Sequence, residues 1–394
     1  MNTYSKTVMM IGGGLQEVKA VKIAQEAGYK VLATDRNANA PCFVYADYVA
    51  VIDGRDVENL IAYVLINQEE LNITGVFTLT ELVTSVAAVS SATGLPGVSL
   101  LSAVACQNKQ LCKKIWSDND IPTPKGGVVT TLNDAQILFN ELGQRVFVKP
   151  IIGFGGISSR KITSQNDLNK LFIDNDQKMI MEELLEGSMH DVNGLIDNHG
   201  NFHPMGVVDR FFLDDFPVEQ KISTPSSLNY NEQAMLYKLL ERAVKVLDIN
   251  WGPVKGDAVF IDGEFKMLEV APRLHGPKSS IYLLPFSGFN CLELALDVIN
   301  GSELKIRNEI KQDLQCVCVA LLPDPGEKFN LYSANKIATK KGIEEVLILK
   351  DNESVVSEYR NATDVPAYVF ATGNDLEECN NNLKNIKLFN LNRK

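Results

Sequence analysis

The chain has 394 residues, 45% of them hydrophobic and 22% charged, with a formal net charge of −11. That length predicts roughly two to four domains with real cores, and the acidic balance excludes broad binding to nucleic acid or to an anionic membrane surface. No apolar run approaches the ~18 residues of a membrane span, Met1–Lys6 holds no apolar run that predicts a secretory leader, and seven cysteines without a CxxC pair predict reduced thiols and a cytoplasmic protein.

In chain order, Thr7–Gly12 reads as a buried strand, followed by Gly12-Gly13-Gly14 and an amphipathic helix to about Gly28. A second strand, Lys30–Thr34, ends at Asp35, and the alternation continues through Ile73–Leu79 to the turn Leu95-Pro96-Gly97. This is the βαβ rhythm of a parallel sheet. The glycine cluster stands where a dinucleotide fingerprint would, but Glu17 occupies the place of its third glycine. A tight turn, or a cleft lending Gly14, Asp35 or Glu81 to a substrate, is expected there instead. After a helix near Ser102, Ile121-Pro122-Thr123-Pro124 is a stiff connector. Strands follow at Arg145–Pro150, Ser159–Ile162 and Met179–Glu183, with a helix near Gln165–Phe172 between the last two. Next come Val192–Ile196, Phe202–Asp209, a long helix over about 231–248 and a hairpin over about 254–270. From Gln315 the pattern is of strands with a late helix over 375–386. Cys316 and Cys318 alternate within that first strand and are expected in the core. Four histidines at irregular spacing predict no zinc centre.

Three clusters point to chemistry. Lys149 lies on an apolar strand, where its charge demands a partner. Gly153, Gly155 and Gly156 follow at once, and a loop so rich in glycine brings backbone amides close to phosphate oxygens. The order GxxxxGK[ST] is absent. Met179–Gly187 is an apolar strand running into carboxylates, a weak signal alone. Asp257 and Glu269 lie on either side of Asp262-Gly263. A strict two-residue turn would set them on opposite faces, so a three-residue loop ending on Gly263 is expected, which puts both on one face. Paired carboxylates there form a hard, oxygen-rich site suited to magnesium. Arg273 follows in Glu269-Val-Ala-Pro-Arg-Leu-His-Gly276 and can hold a phosphoryl or carboxylate group in bidentate fashion.

In this order, lysine strand, glycine loop, Glu-Glu-Leu, acidic hairpin and Pro-Arg resemble the ATP-grasp superfamily, including its carbamoyl-phosphate synthase and biotin carboxylase-like members. The resemblance implies a mixed α/β and α+β chain: a Rossmann-like domain at 1–107, an ATP-grasp small lobe with its connecting helix at 108–185, a large lobe at 186–310 and a small C-terminal α+β domain at 311–394. It implies ATP and Mg2+ as cofactors, with Mn2+ as a substitute ion. By resemblance, Lys109 and Lys149 grip phosphates, and Gly153, Gly155, Gly156, Ile157 and Ser158 belong to a loop that covers them. Glu182, Glu183, Leu184 and Leu185 resemble the hinge that meets adenine. Met189 stands where the family has a ribose-binding glutamate, and Asp191, two residues along the strand, is expected to replace it. Asp257 and Glu269 match the metal-binding acids, though Ala271 stands where many members have asparagine. Arg273 resembles the arginine near the acyl phosphate. Asn108 precedes Lys109 where the family often has aspartate.

The implied activity is ligation of a small-molecule carboxylate, such as an amino acid, to an amine through an acyl phosphate, with ADP and phosphate released. Positioning and charge neutralisation do the work, so no Ser-His-Asp or Cys-His constellation is expected. The run Glu-Val-Ala-Pro-Arg-Leu-His is similar to that of purine-pathway carboxylases, so carboxylation or formylation of an aminoimidazole or glycinamide ribonucleotide is the alternative. A non-catalytic nucleotide-binding regulator is a third reading. No nucleic-acid or membrane partner is expected, and a homodimer is the assembly common among such proteins.

Overall fold

A computed structural model describes residues 5–153, 155–173, 178–214, 216–304 and 314–384. Its first sheet is parallel, with order β3-β2-β1-β4, built from β1 (Thr7–Ile11), β2 (Lys30–Asp35), β3 (Tyr48–Val51) and β4 (Ile73–Phe77). All five residues of β1 are buried, as expected for a strand covered on both faces. One cover is the helix Cys291–Ile299, whose Leu296 and Ile299 share a core with Val8 and Met10. Gly75 is required at that contact, because a Cβ there would lie 2.4 Å from the Ile299 side chain.

The second sheet is antiparallel, with order β5-β8-β6-β7: β5 (Gly126–Val129), β6 (Val146–Pro150), β7 (Arg160–Ile162) and β8 (Met179–Glu183). Val146, Val148, Met179 and Met181 pack with Phe139 and Leu168 of the covering helices. Strand alternation therefore turns Phe147, Lys149 and Glu182 to the opposite face.

The third sheet has eight strands. Those before residue 300 are β9 (Ser188–Ile196), β10 (Phe202–Phe212), β11 (Glu219–Thr224), β12 (Gly252–Ile261) and β13 (Glu264–Ala271). Next come β14 (Gln315–Leu321), β15 (Ile343–Ile348) and β16 (Ala367–Gly373), and the order is β13-β12-β9-β10-β11-β14-β16-β15. The boundary expected between 310 and 311 lies outside the described residues. Beyond it, β14 pairs antiparallel with β11, so the C-terminal strands continue the large lobe's sheet. Cys316 and Cys318 are buried in it, and all seven cysteines are free and buried. Helix Tyr230–Lys245, started by an Asn229/Glu232 capping box, lays Leu236, Leu240 and Val244 on Val192, Val254 and Ala258. The alternate residues Asp191, Asn193, Lys255 and Asp257 therefore face away from this helix.

The β12–β13 turn differs from the expected three-residue loop. Ile261 pairs directly with Glu264, leaving the two-residue turn Asp262-Gly263, with φ of +52° and +83°. Two positive φ values are what an Asp-Gly hairpin turn of type I′ requires. The face is restored farther down: Ala258 pairs with Met267 but Asp257 with Glu269, so Leu268 is an extra residue, a β-bulge. The two acids end opposite each other by a route the turn does not supply.

Candidate active site

A cavity of about 570 Å³ opens between the second and third sheets. The segment Glu182–His190, the β6 residues Phe147 and Lys149, and Arg210–Leu213 with Pro217 line it. Leu184 and Leu185, which the sequence reading likens to a hinge, are in its lining. Glu183 is tied back, its Oε1 2.7 Å from Lys266 Nζ and accepting the Lys125 N–H at 3.0 Å.

Lys149 is 8% exposed and its Nζ lies 2.7 Å from Glu182 Oε2. Burial pulls its pKa down, but Glu182, then Glu269 and Asp257, overcome this and the net shift is upward. The other oxygen of Glu182 lies 2.7 Å from Lys113 Nζ. Burial, with Lys149 as a like charge, brings the Lys113 pKa down to about 8 in spite of Glu182. Lys109, one turn before Lys113 on the helix Lys109–Asp118, donates to the Gly153 carbonyl at 3.1 Å. Its pKa is lowered by burial and by Lys149.

The glycine loop takes left-handed backbone at Gly155, Gly156 and Ser158. The Gly155 carbonyl accepts the Ala362 N–H at 3.2 Å. A Cβ on Gly156 would meet Pro217 at 2.7 Å, and Ile157 is 38% exposed. The loop thus reaches the cavity wall through Pro217, and its described residues are not themselves in the lining. Phe154 lies outside the described residues.

Beyond Lys149 the floor is charged. Lys255 Nζ lies 3.2 Å from Asp257 Oδ2 and 2.5 Å from Glu269 Oε1. Asp257 Oδ1 is also 3.3 Å from Arg210 and 3.0 Å from His275 Nε2. Burial would raise the Asp257 pKa, yet Lys255, Arg210 and His275 hold it well below the usual carboxylate range. Burial lowers the His275 pKa, but Asp191 and Asp257 overcome it and the net shift is upward. Asp191, Asp257 and His275 offer three ligand atoms within 4.8 Å of one another, a grouping that histidine spacing does not reveal.

Asp191 is therefore not where the sequence reading puts it. It is fully buried, its Oδ1 lies 2.9 Å from Arg210 and 3.1 Å from His275, and Ser279 donates to its Oδ2 at 2.8 Å. It does not line the cavity, whereas Met189 does. The residue is on the right face of the strand but two positions, about 7 Å, farther from the hinge.

Arg273 is bound to Glu81 of the first sheet's domain and donates to the Leu274 carbonyl at 2.9 Å, while its Nε has no partner. Glu81 is thus brought to the site. Asp35 is not: its carboxylate accepts the N–H of Gly13 at 3.0 Å and of Asn37 at 2.8 Å and so closes its own turn. A Ser188–His190–Asp209 chain, absent from expectation, is present: Ser188 Oγ lies 2.7 Å from His190 Nε2, and His190 Nδ1 2.9 Å from Asp209. It sits on the sheet face toward helix Tyr230–Lys245, where Asp209 also takes the Ser227 N–H at 2.7 Å, and it fastens the loop before that helix. Lys113, Lys255 and Arg210 escaped the sequence reading. Lys255 in Gly-Pro-Val-Lys-Gly-Asp and Arg210 in Val-Val-Asp-Arg-Phe-Phe carry the same signal that marked Lys149, a cation on an apolar strand.

Residues 106–277 match the family model for an ATP-grasp domain. The carbamoyl phosphate synthase large chain of Agathobacter rectalis is 22% identical over 208 residues, 51% of this chain but only 19% of that one. The 3-methyl-D-ornithine–L-lysine ligase of Methanosarcina mazei is 24% identical over 319 residues, 79% of this chain and 76% of that one. Among solved structures, an L-amino acid ligase from Bacillus licheniformis superposes with a TM-score of 0.81 at 20% identity, covering 98% of both chains. The ADP complex of an N5-carboxyaminoimidazole ribonucleotide synthetase gives 0.79 at 16% identity, covering 98% of this chain and 97% of that one. At such identities the superpositions speak for the fold. Cavity, buried lysine strand and facing acids thus sit in a chain whose residues 106–277 match an ATP-grasp domain and whose fold superposes on those two solved structures.

Proposed function

We propose that this chain is an ATP- and Mg2+-dependent carboxylate–amine ligase that acts on an amino acid or similar small carboxylate. The observation that carries the reading is the sequence of groups across the cleft: apolar hinge cavity, buried Lys149, then Asp257 facing Glu269. The residues fit a divalent cation, because oxygens of both acids already converge on one positive point, the Lys255 ammonium. When bound, ATP with its metal supplies the phosphoryl group that activates the carboxylate. Lys149 and Lys109 hold phosphate oxygens, and Asp257 and Glu269 hold the metal. Arg273, with its unused Nε–H, orients the acyl group. Leu184 and Leu185 receive the base, and the Gly153–Ser158 loop excludes water. The domain limits at 107, 185 and 310 belong to the same proposal, as does a cytoplasmic location, which seven buried free thiols support. Among the described residues no single helix is long and apolar enough to cross a membrane.

The purine reading keeps support from the Glu269–His275 run and from the second superposition. ADP release separates the two: amino-acid pools drive turnover in the first, and bicarbonate with an aminoimidazole ribonucleotide in the second. Nucleotide binding without turnover on any pool overturns both and leaves the regulator. Lys149→Ala should abolish thermal stabilisation by ATP, and Asp257→Ala should abolish turnover even at temperatures where the variant, destabilised by leaving Lys255 and Arg210 short of a partner, is still folded. Full activity in both variants overturns the site.

A further inference from the structure

Glu182 is shared. One oxygen is 2.7 Å from Lys149 on β6, the other 2.7 Å from Lys113 on the helix Lys109–Asp118, and its side chain is 3% exposed. A single carboxylate satisfies one ammonium, so the trio holds one surplus positive charge out of water. Lys113 is fixed from behind: it also donates to Thr123, which in turn donates to the Met267 carbonyl at 2.8 Å. Lys149 is held by Glu182 alone among these side chains, and of the two lysines it is the one in the cavity lining. Two lysines at i and i+4 leave one helix face together, Lys109 to the glycine loop and Lys113 to the hinge strand.

We propose that Lys113 is a positioning residue: it stays on Glu182 as a permanent counter-ion and so frees Lys149 to turn its ammonium onto a nucleotide phosphate. Without Lys113, the departure of Lys149 would strand Glu182 as a buried, unpaired anion beside incoming phosphates. That cost is paid only when a phosphate recruits Lys149. The proposal rests on the nucleotide reading of the cavity and goes beyond it in assigning a residue that touches no ligand.

The test is binding of ATP, ADP and adenosine to the full chain, by displacement of a fluorescent ATP analogue, for wild type, Lys113→Met and Lys113→Arg. Lys113→Met should weaken ATP and ADP about tenfold, the worth of one charge-assisted contact, and leave adenosine within about twofold. Lys113→Arg should recover most of the loss. Unchanged ATP affinity in Lys113→Met, or equal losses for ATP and adenosine, overturns the proposal and leaves the nucleotide site standing. A wild-type chain that binds none of the three removes the nucleotide reading as well.

Discussion

At the scale of residues, the site is built on buried charges set directly against one another. Lys255 bridges Asp257 and Glu269, and its pKa is raised because these two acids outweigh the burial that lowers it. An ammonium in that place keeps two carboxylates from repelling each other in a low-dielectric setting. Lys255→Met should therefore destabilise the chain by about 3–5 kcal/mol, the usual result of removing one partner from a buried cluster. Mg2+ should raise the melting temperature of this variant more than that of wild type. An equal Mg2+ shift in the two proteins, read by thermal unfolding with and without the ion, would contradict this account of the acid pair.

At the scale of elements, the β12–β13 hairpin decides whether those acids meet. Its register shift at Leu268 turns Glu269 onto the face of Asp257. Deleting Leu268 should leave the Asp262-Gly263 turn intact and remove the bulge, so that regular pairing still sets Glu269 opposite Asp257 and Val270 opposite Gly256. The expected outcome is a chain with near-native circular dichroism that keeps turnover, and loss of turnover in a folded chain would show that the bulge does more than set the face of Glu269. At the turn itself Gly263 has φ of +83°. Gly263→Ala should cost about 1 kcal/mol by urea unfolding without moving the acids. The expected type of loop was wrong and the expected face right, because turn and bulge each flip the pattern and only their sum shows at the site.

At the scale of the whole molecule, long-range ion pairs join the layers. Glu81 reaches Arg273 across 192 positions, and Glu219 on β11 meets Arg210 and Lys278. Burial raises the Glu219 pKa, but Lys278 and Arg210 outweigh it and hold the group below its ordinary 4.5. A depressed folded pKa means that the unfolded chain binds the proton more readily. The contribution to stability is complete above about 4.5 and is lost as the pH falls through the folded value. Urea midpoints measured from pH 6 down to pH 3 should fall less steeply in Glu219→Gln than in wild type. Parallel slopes would show that this pair does not govern acid unfolding.

Strand periods, the cost of a lysine inside Val146–Pro150 and the glycines after it are local properties, and the sequence alone carried them. The order of those segments was enough to anticipate the family of the 106–277 domain. Asp191 shows where such reading stops. Its face on β9 followed from alternation, but its partners Arg210, Ser279 and His275 come from other strands and loops. The pairing of β14 with β11, the bulge at Leu268 and the sharing of Glu182 by two lysines are likewise matters of register and approach between distant segments. Such contacts are chosen by packing and charge balance in the assembled chain, and only the tertiary structure decided them.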